Sequence, residues 1–134
     1  MGRGKMTNTN TNTNRRILIA DDEPYILRSL SFVLQKEGFE VETACDGEEA
    51  LEKVRQFKPK ILFLDIMMPL EDGYEVCEKL KSAPDTNHIY VIMLTAKGQI
   101  IDKKRGLEVG ADEYITKPFS PREIVDKVKG IIGS

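Results

Sequence analysis

Short apolar runs alternate along this chain with stretches in which apolar residues recur at helical spacing. Uninterrupted runs such as Ile-Leu-Phe-Leu at 61–64 are typical of strands that a parallel sheet buries on both faces. The alternation of the two patterns predicts an α/β fold: a doubly wound, five-stranded parallel sheet with five helices on its two faces. The predicted strands cover residues 17–20, 39–44, 60–64, 89–94 and 113–116.

Capping residues and glycines mark where the predicted helices begin and end. The first helix begins near Pro24 and ends at Gly38. Asp46, Asp72 and Ser120 are the expected N-caps of three later helices, and Ser120 opens a capping-box sequence. The helical positions expected to be buried are Ile26, Leu30, Val33, Leu34, Ala50, Leu51, Val54, Phe57, Val76, Cys77, Leu80, Ile124, Val128 and Ile131.

The first fourteen residues have no hydrophobic period and consist largely of alternating threonine and asparagine. We expect a disordered tail over 1–14, of the kind that cloning can add. From residue 15 onward, five strand–helix units fill the sequence, which predicts one domain over 15–134. The helix predicted over 99–109 is weakly amphipathic and is bounded by glycines.

Polar side chains stand where the predicted strands end. Asp21 and Asp22 follow the first strand, Asp65 ends the third, Thr95 follows the apolar run of the fourth, and Lys117 follows the fifth. Because ligands of open α/β sheets bind outside the carboxyl ends of the strands, we expect these groups to meet in one crevice.

The expected cluster points to metal-assisted phosphoryl chemistry. Carboxylates about 5 Å apart repel by roughly 3 kcal/mol per pair at an effective dielectric near 20, so the cluster requires a cation, a proton or a basic side chain. Hard oxygen ligands in a wet crevice favour Mg²⁺, which keeps several waters and accepts phosphate oxygens. Asp65 is the candidate nucleophile, Lys117 offsets phosphoryl charge, and Thr95 can donate a hydroxyl hydrogen bond.

Composition excludes several other classes of protein. The net charge is −2, and lysine and arginine are scattered, so there is no basic surface for nucleic acid. The sequence contains neither an apolar run long enough to cross a bilayer nor a secretory signal pattern. The two cysteines have no paired spacing for zinc or a disulfide framework, and we expect a cytoplasmic protein.

Four segments together resemble the receiver domain of bacterial two-component response regulators. They are ILIADDEP at 17–24, LFLDIMMP at 62–69, VIMLTA at 91–96 and GADEYITKPF at 110–119. The resemblance covers residues 15–132 in a single register. It implies a flavodoxin-like fold, as in the chemotaxis regulators, and a function as a phospho-acceptor switch.

The resemblance assigns a role to each acidic residue of the site. It implies that Asp65 accepts a phosphoryl group from a phosphohistidine of a sensor histidine kinase or phosphotransfer protein. Asp22 and Asp65 would bind Mg²⁺ directly, Asp21 through water, and Met67 through its backbone carbonyl. Lys117 would pair with the phosphate.

The resemblance also implies how the signal is passed on. Thr95 would move towards the phosphoryl oxygen and Tyr114 would swing inward behind it. This movement would reshape the face formed by the helix over 99–109, the last strand and the last helix, which binds a downstream protein. The peptide bond before Pro118 would be cis.

The resemblance also concerns how long the phosphoryl group stays bound. Met67 and Lys97 stand where the family tunes hydrolysis of the acyl phosphate, and methionine cannot orient an attacking water.

Other functions remain open at this stage. The chain could be a stand-alone regulator or the receiver of a longer protein, and it could bind partners without being phosphorylated. A magnesium-dependent phosphatase with an aspartyl-phosphate intermediate would require a second aspartate where Met67 stands. A nucleotide switch would require a glycine-rich phosphate loop, which the sequence lacks. We therefore expect no turnover of an external substrate and no direct binding of nucleic acid or membrane.

Each residue also has a simpler explanation. Asp21 and Asp22 could cap the first helix, and Thr95 could bond its own backbone at a strand end. Tyr114 could be a packed aromatic residue, and Lys117 a solvated lysine. Helix capping does not explain Asp65 or Lys117, and the convergence of the whole set favours the phosphoryl site.

Overall fold

The computed structural model describes residues 14–96 and 108–133. In this part of the chain the strands are β1 (Arg16–Ala20), β2 (Glu40–Ala44), β3 (Ile61–Asp65), β4 (Tyr90–Thr95) and β5 (Glu113–Thr116). The helices are α1 (Pro24–Lys36), α2 (Gly47–Phe57), α3 (Gly73–Ser82) and α4 (Pro121–Ile132). The strands form one parallel sheet in the order β2-β1-β3-β4-β5, which confirms the predicted α/β fold and five-stranded sheet.

The central strands of the sheet are buried on both faces. All five residues of β3 are buried, and successive side chains point to opposite sides. Leu62 and Leu64 pack against α2 and α3, whereas Ile61 and Phe63 pack against α1 and α4. The uninterrupted apolar run of this strand therefore reflects two separate cores, one on each face of the sheet.

The expected capping residues set the helix starts. Asp46 and Ser120 each accept a hydrogen bond from the backbone N–H three residues later. Asp72 forms a full capping box with Glu75, in which each side chain accepts from the other residue's backbone. Ser120 accepts from Glu123 N at 3.0 Å, which is the half of its predicted capping box that the structure shows.

Three residues predicted to be buried are only half-buried: Val33, Phe57 and Ile131. They lie at the borders of the apolar faces of their helices, where packing ends. Phe57 is the last residue of α2, and the Arg16 guanidinium lies 5.7 Å from its ring centroid. The Phe57 ring is therefore paired with the Arg16 guanidinium while it stays partly exposed to solvent.

Parts of the sequence-based prediction lie outside the described residues. Most of the helix predicted over 99–109 lies outside them. Its last two residues, Glu108 and Val109, are described as helical, and Val109 is buried in the core. Residues 1–13 of the expected tail lie outside them as well, whereas Asn14 is described and donates to the Lys58 carbonyl at 3.0 Å. No helix in the described ranges combines the length and hydrophobicity that a bilayer crossing requires.

Candidate phosphoryl and metal site

The predicted carboxylates do converge at the carboxyl edge of the sheet. Asp21 follows β1 and Asp65 ends β3, and these neighbouring strands lie where the order of the sheet reverses. Carboxylate oxygens of Asp21, Asp22 and Asp65 all lie within 4.8 Å of one another. Asp21 is fully buried and Asp65 nearly so, while Asp22 is exposed. The cluster is thus open to solvent on the side of Asp22.

Lys117 reaches the same cluster from the loop after β5. Its backbone N–H donates to the Thr95 carbonyl at 2.6 Å, which joins the ends of β4 and β5. The Lys117 Nζ lies 2.7 Å from Asp21 Oδ2, 2.8 Å from Glu23 Oε1 and 3.5 Å from Asp65 Oδ2. The lysine is therefore a mostly buried counter-ion and not a solvated surface residue.

Two backbone contacts fix the position of Asp65. The Met67 N–H donates to Asp65 Oδ1 at 3.1 Å, which orients the carboxylate. The first turn of α3 packs directly on the strand end, because a Cβ at Gly73 would lie 2.5 Å from the Asp65 carbonyl oxygen. A residue larger than glycine at position 73 would displace the backbone that carries Asp65.

The electrostatics of the cluster favour added positive charge. Burial, followed by the negative charge of Asp21, raises the pKa of Asp65 to about 6. Burial disfavours the charged form of Lys117, but its hydrogen bonds to Asp21 and Glu23 outweigh this effect and raise its pKa. Because the surroundings of Asp65 favour its protonated form, a bound cation would stabilise the ionised cluster.

These residues fit a magnesium ion. The donor set is three carboxylates, which are hard oxygen ligands, and the exposed Asp22 leaves room for the waters that Mg²⁺ retains. A second cluster, formed by Cys45, Asp46 and Glu49, is committed otherwise, since Asp46 caps α2 and Glu49 accepts from the Cys45 N–H at 2.7 Å.

The remaining predicted site residues lie around the cluster. Thr95, at the end of β4, is almost fully buried, and its hydroxyl lies 3.4 Å from Thr116 Oγ1. Tyr114, on β5, is half-buried and packs against the core beneath α2 and α3. The Met67 side chain is 64% exposed, and the bond before Pro118 is cis. Lys97 lies outside the described residues.

Glu23 is the site residue that sequence reasoning missed. It is the N-cap residue of α1, and it pairs with a lysine 94 positions away in sequence. The available signal was its place directly after Asp21 and Asp22 at the same strand end. Asp21 itself accepts from the Glu23 N–H at 2.9 Å, a local turn bond, so it supports the start of α1 as well as the cluster.

A comparison with known proteins agrees with this geometry. The family model for the response regulator receiver domain matches residues 17–129. The alkaline phosphatase synthesis transcriptional regulatory protein PhoP of Bacillus subtilis (strain 168) is 48% identical over 119 residues, which make up 89% of this chain and 49% of that protein. The chain spans about half the length of the curated relatives that it matches.

Solved structures share the fold over nearly the whole chain. The chemotaxis response regulator CheY4 of Vibrio cholerae superposes with a TM-score of 0.81 at 31% identity, covering 89% of this chain and 99% of that one. The receiver domain of sensor histidine kinase PA1611 from Pseudomonas aeruginosa PAO1 has a TM-score of 0.79 at 25% identity, covering 90% and 99%. That structure has a magnesium ion coordinated in its active site cleft.

Proposed function

This chain belongs to the response regulator receiver domain family, and on that premise we propose that Asp65 accepts a phosphoryl group from a phosphohistidine of a sensor histidine kinase or phosphotransfer protein. Domains of this family act as signalling switches and not as metabolic enzymes. The observation that carries the proposal is the convergence of a buried aspartate, two further carboxylates and Lys117 at one sheet edge. We place this reaction in the cytoplasm.

The transfer needs one nucleophile and good charge compensation. A carboxylate oxygen of Asp65 attacks phosphorus in line, the phosphorus–nitrogen bond breaks, and its electron pair stays on the donor imidazole. Lys117 then faces the phosphoryl oxygens, and the Thr95 hydroxyl donates to one of them. The Met67 N–H holds the carboxylate in place before the transfer.

Magnesium would be held by this chain's own oxygen ligands. We assign Asp22 and Asp65 as direct ligands, Asp21 as a ligand through water, and the Met67 backbone carbonyl as the remaining protein ligand. The bound ion supplies charge compensation at the phosphoryl oxygens. The mutual proximity of the three carboxylates and the magnesium in the PA1611 receiver domain support this assignment.

Phosphorylation would be read out by a protein partner. Thr95 and Tyr114 lie on neighbouring strands, so a shift of the threonine can open space for the tyrosine ring. Together they would reshape the face made by the predicted helix over 99–109, β5 and α4, and so favour one of two conformations. We assign no nucleic-acid or membrane contact to this chain, in keeping with its net charge of −2.

The acceptor chemistry is tested with a small phosphodonor. Wild-type protein incubated with acetyl phosphate should gain the mass of one phosphoryl group in the presence of Mg²⁺, and none when EDTA is present. Asp65→Asn should gain none under either condition, while Asp85→Asn, which alters an exposed carboxylate elsewhere, should behave like wild type. A wild-type protein that neither gains mass nor binds beryllofluoride with Mg²⁺ would contradict the proposal.

The identity of residue 67 should set the lifetime of the acyl phosphate. Met67 lies two residues after the acceptor with an exposed side chain that cannot orient an attacking water. We expect Met67→Asn to lose its phosphoryl group several-fold faster than wild type, as followed by intact mass after the donor is removed. Leu70→Asn, on the same loop and equally exposed, is the matched control. Equal lifetimes for Met67→Asn and Leu70→Asn would refute this explanation.

A further inference from the structure

Lys117 has more carboxylate partners than the phosphoryl reaction requires. Its ammonium group carries three N–H donors, and three carboxylates surround it. Asp21 and Glu23 lie at 2.7 and 2.8 Å, whereas the acceptor Asp65 lies at 3.5 Å. The lysine is thus bound most closely by the two residues that do not accept the phosphoryl group.

The two close partners differ in their freedom to move. Asp21 is fully buried, and its other oxygen is tied to the Glu23 N–H. The Glu23 side chain is 41% exposed and borders a cavity of about 470 Å³ between the start of α1 and the loop after β5. Tyr25 lines the same cavity, and the negative charge of Glu23 raises the pKa of its hydroxyl. Glu23 therefore has both the space to leave Lys117 and a neighbouring hydroxyl that could donate to it there.

The helix does not need the Glu23 side chain for its own start. Glu23 is the N-cap residue of α1, yet in the described structure its side chain makes no capping hydrogen bond. Pro24 at the first helical position already fits the start of a helix. The strong interaction of this carboxylate is with Lys117, so replacing it by an amide should leave α1 intact.

We propose that Glu23 is a positioning residue that holds Lys117 back from Asp65 in the unphosphorylated protein and releases it by swinging into the adjoining cavity when a phosphoryl group arrives. Its charge also repels an approaching anionic donor. Both effects slow phosphorylation, and both weaken when the carboxylate becomes an amide, which has no charge and binds an ammonium group less strongly. The inference rests on the proposed function of Asp65.

The test compares Glu23→Gln with Glu78→Gln, which removes an equal charge from an exposed position on α3. Crystal structures of the magnesium-free wild type and Glu23→Gln give the position of Lys117. In Glu23→Gln we expect Lys117 Nζ to lie closer to Asp65 Oδ2 than in wild type, at a direct hydrogen-bond distance. Rates of phosphorylation by acetyl phosphate with Mg²⁺ should rise about three- to tenfold in Glu23→Gln, the effect of one partly screened charge. Glu78→Gln should match wild type.

The outcomes separate this inference from the proposed function. If Lys117 stays where it is in Glu23→Gln, or if the rate equals that of Glu78→Gln, Glu23 does not hold Lys117 back. If no variant takes up a phosphoryl group, the proposed function fails, while the position of Lys117 still decides whether Glu23 restrains it. Thermal unfolding of both variants checks that each is folded before rates are compared.

Discussion

Replacing Lys117 by methionine should lower the free energy of unfolding of the magnesium-free protein by about 3–5 kcal/mol. Methionine keeps the length and the apolar stem of lysine but leaves the carboxylates without their counter-ion. Asp21, fully buried and 2.7 Å from Nζ, cannot recover its hydration in the folded state. Asp65 then faces Asp21 with no positive charge between them, and the repulsion persists unless one of them takes up a proton.

Urea denaturation with EDTA present measures this loss. Lys79→Met is the matched control, because Lys79 also pairs with a glutamate, Glu71, but its side chain is 56% exposed. Exposed pairs contribute about 0–1 kcal/mol, so the control should change little. Adding Mg²⁺ should restore part of the stability of Lys117→Met, because an ion that binds only the folded state stabilises it. Equal losses for the two variants would show that the carboxylate cluster does not depend on Lys117.

Local sequence signals identified most of this fold. Strand β5 was predicted at 113–116 and is found at Glu113–Thr116, and the N-caps Asp46, Asp72 and Ser120 were all identified. The N-caps depend on hydrogen bonds between residues three positions apart, which is why sequence alone reveals them. The site followed from one further rule, that parallel strands present their carboxyl ends at the same edge of the sheet.

What escaped prediction depends on distances across the fold. Glu23 is near Asp22 in sequence, but its pairing with Lys117 arises only when β1 and β5 are placed in one sheet. Phe57 occupies a core position by helical spacing, yet it lies at the end of α2, where there is too little neighbouring structure to cover its ring. Helical spacing gives the direction in which a side chain points, and burial depends on what lies there.

Removing the charge of Asp65 should have the opposite effect on stability from removing Lys117. The pKa of Asp65 is about 6 in the folded protein, against an ordinary value of 3.8. Between these two values the folded protein holds the proton more tightly than the unfolded chain does, so stability falls as pH rises through the interval. Above about pH 6, the ionised carboxylate costs the folded state about 3 kcal/mol.

Asp65→Asn removes this cost and keeps an oxygen that can accept from the Met67 N–H. With EDTA present, the variant should be more stable than wild type by about 3 kcal/mol near pH 8 and by only about 1 kcal/mol near pH 4.5. Urea denaturation at the two pH values measures the difference. If Asp65 binds Mg²⁺ as proposed, the ion should narrow this difference in stability near pH 8, because it stabilises the wild-type cluster and has one ligand fewer in the variant.

The exposed Asp85→Asn serves as the control and should stay within about 0.5 kcal/mol of wild type at both pH values. If Asp65→Asn were as stable as wild type near pH 8, the carboxylate would carry no desolvation cost, and Lys117 alone would compensate the cluster. If it were more stable by the same amount at both pH values, the gain would come from packing and not from charge. Only a gain in stability that grows with pH fits a site that folds with negative charge in excess and therefore favours a cation.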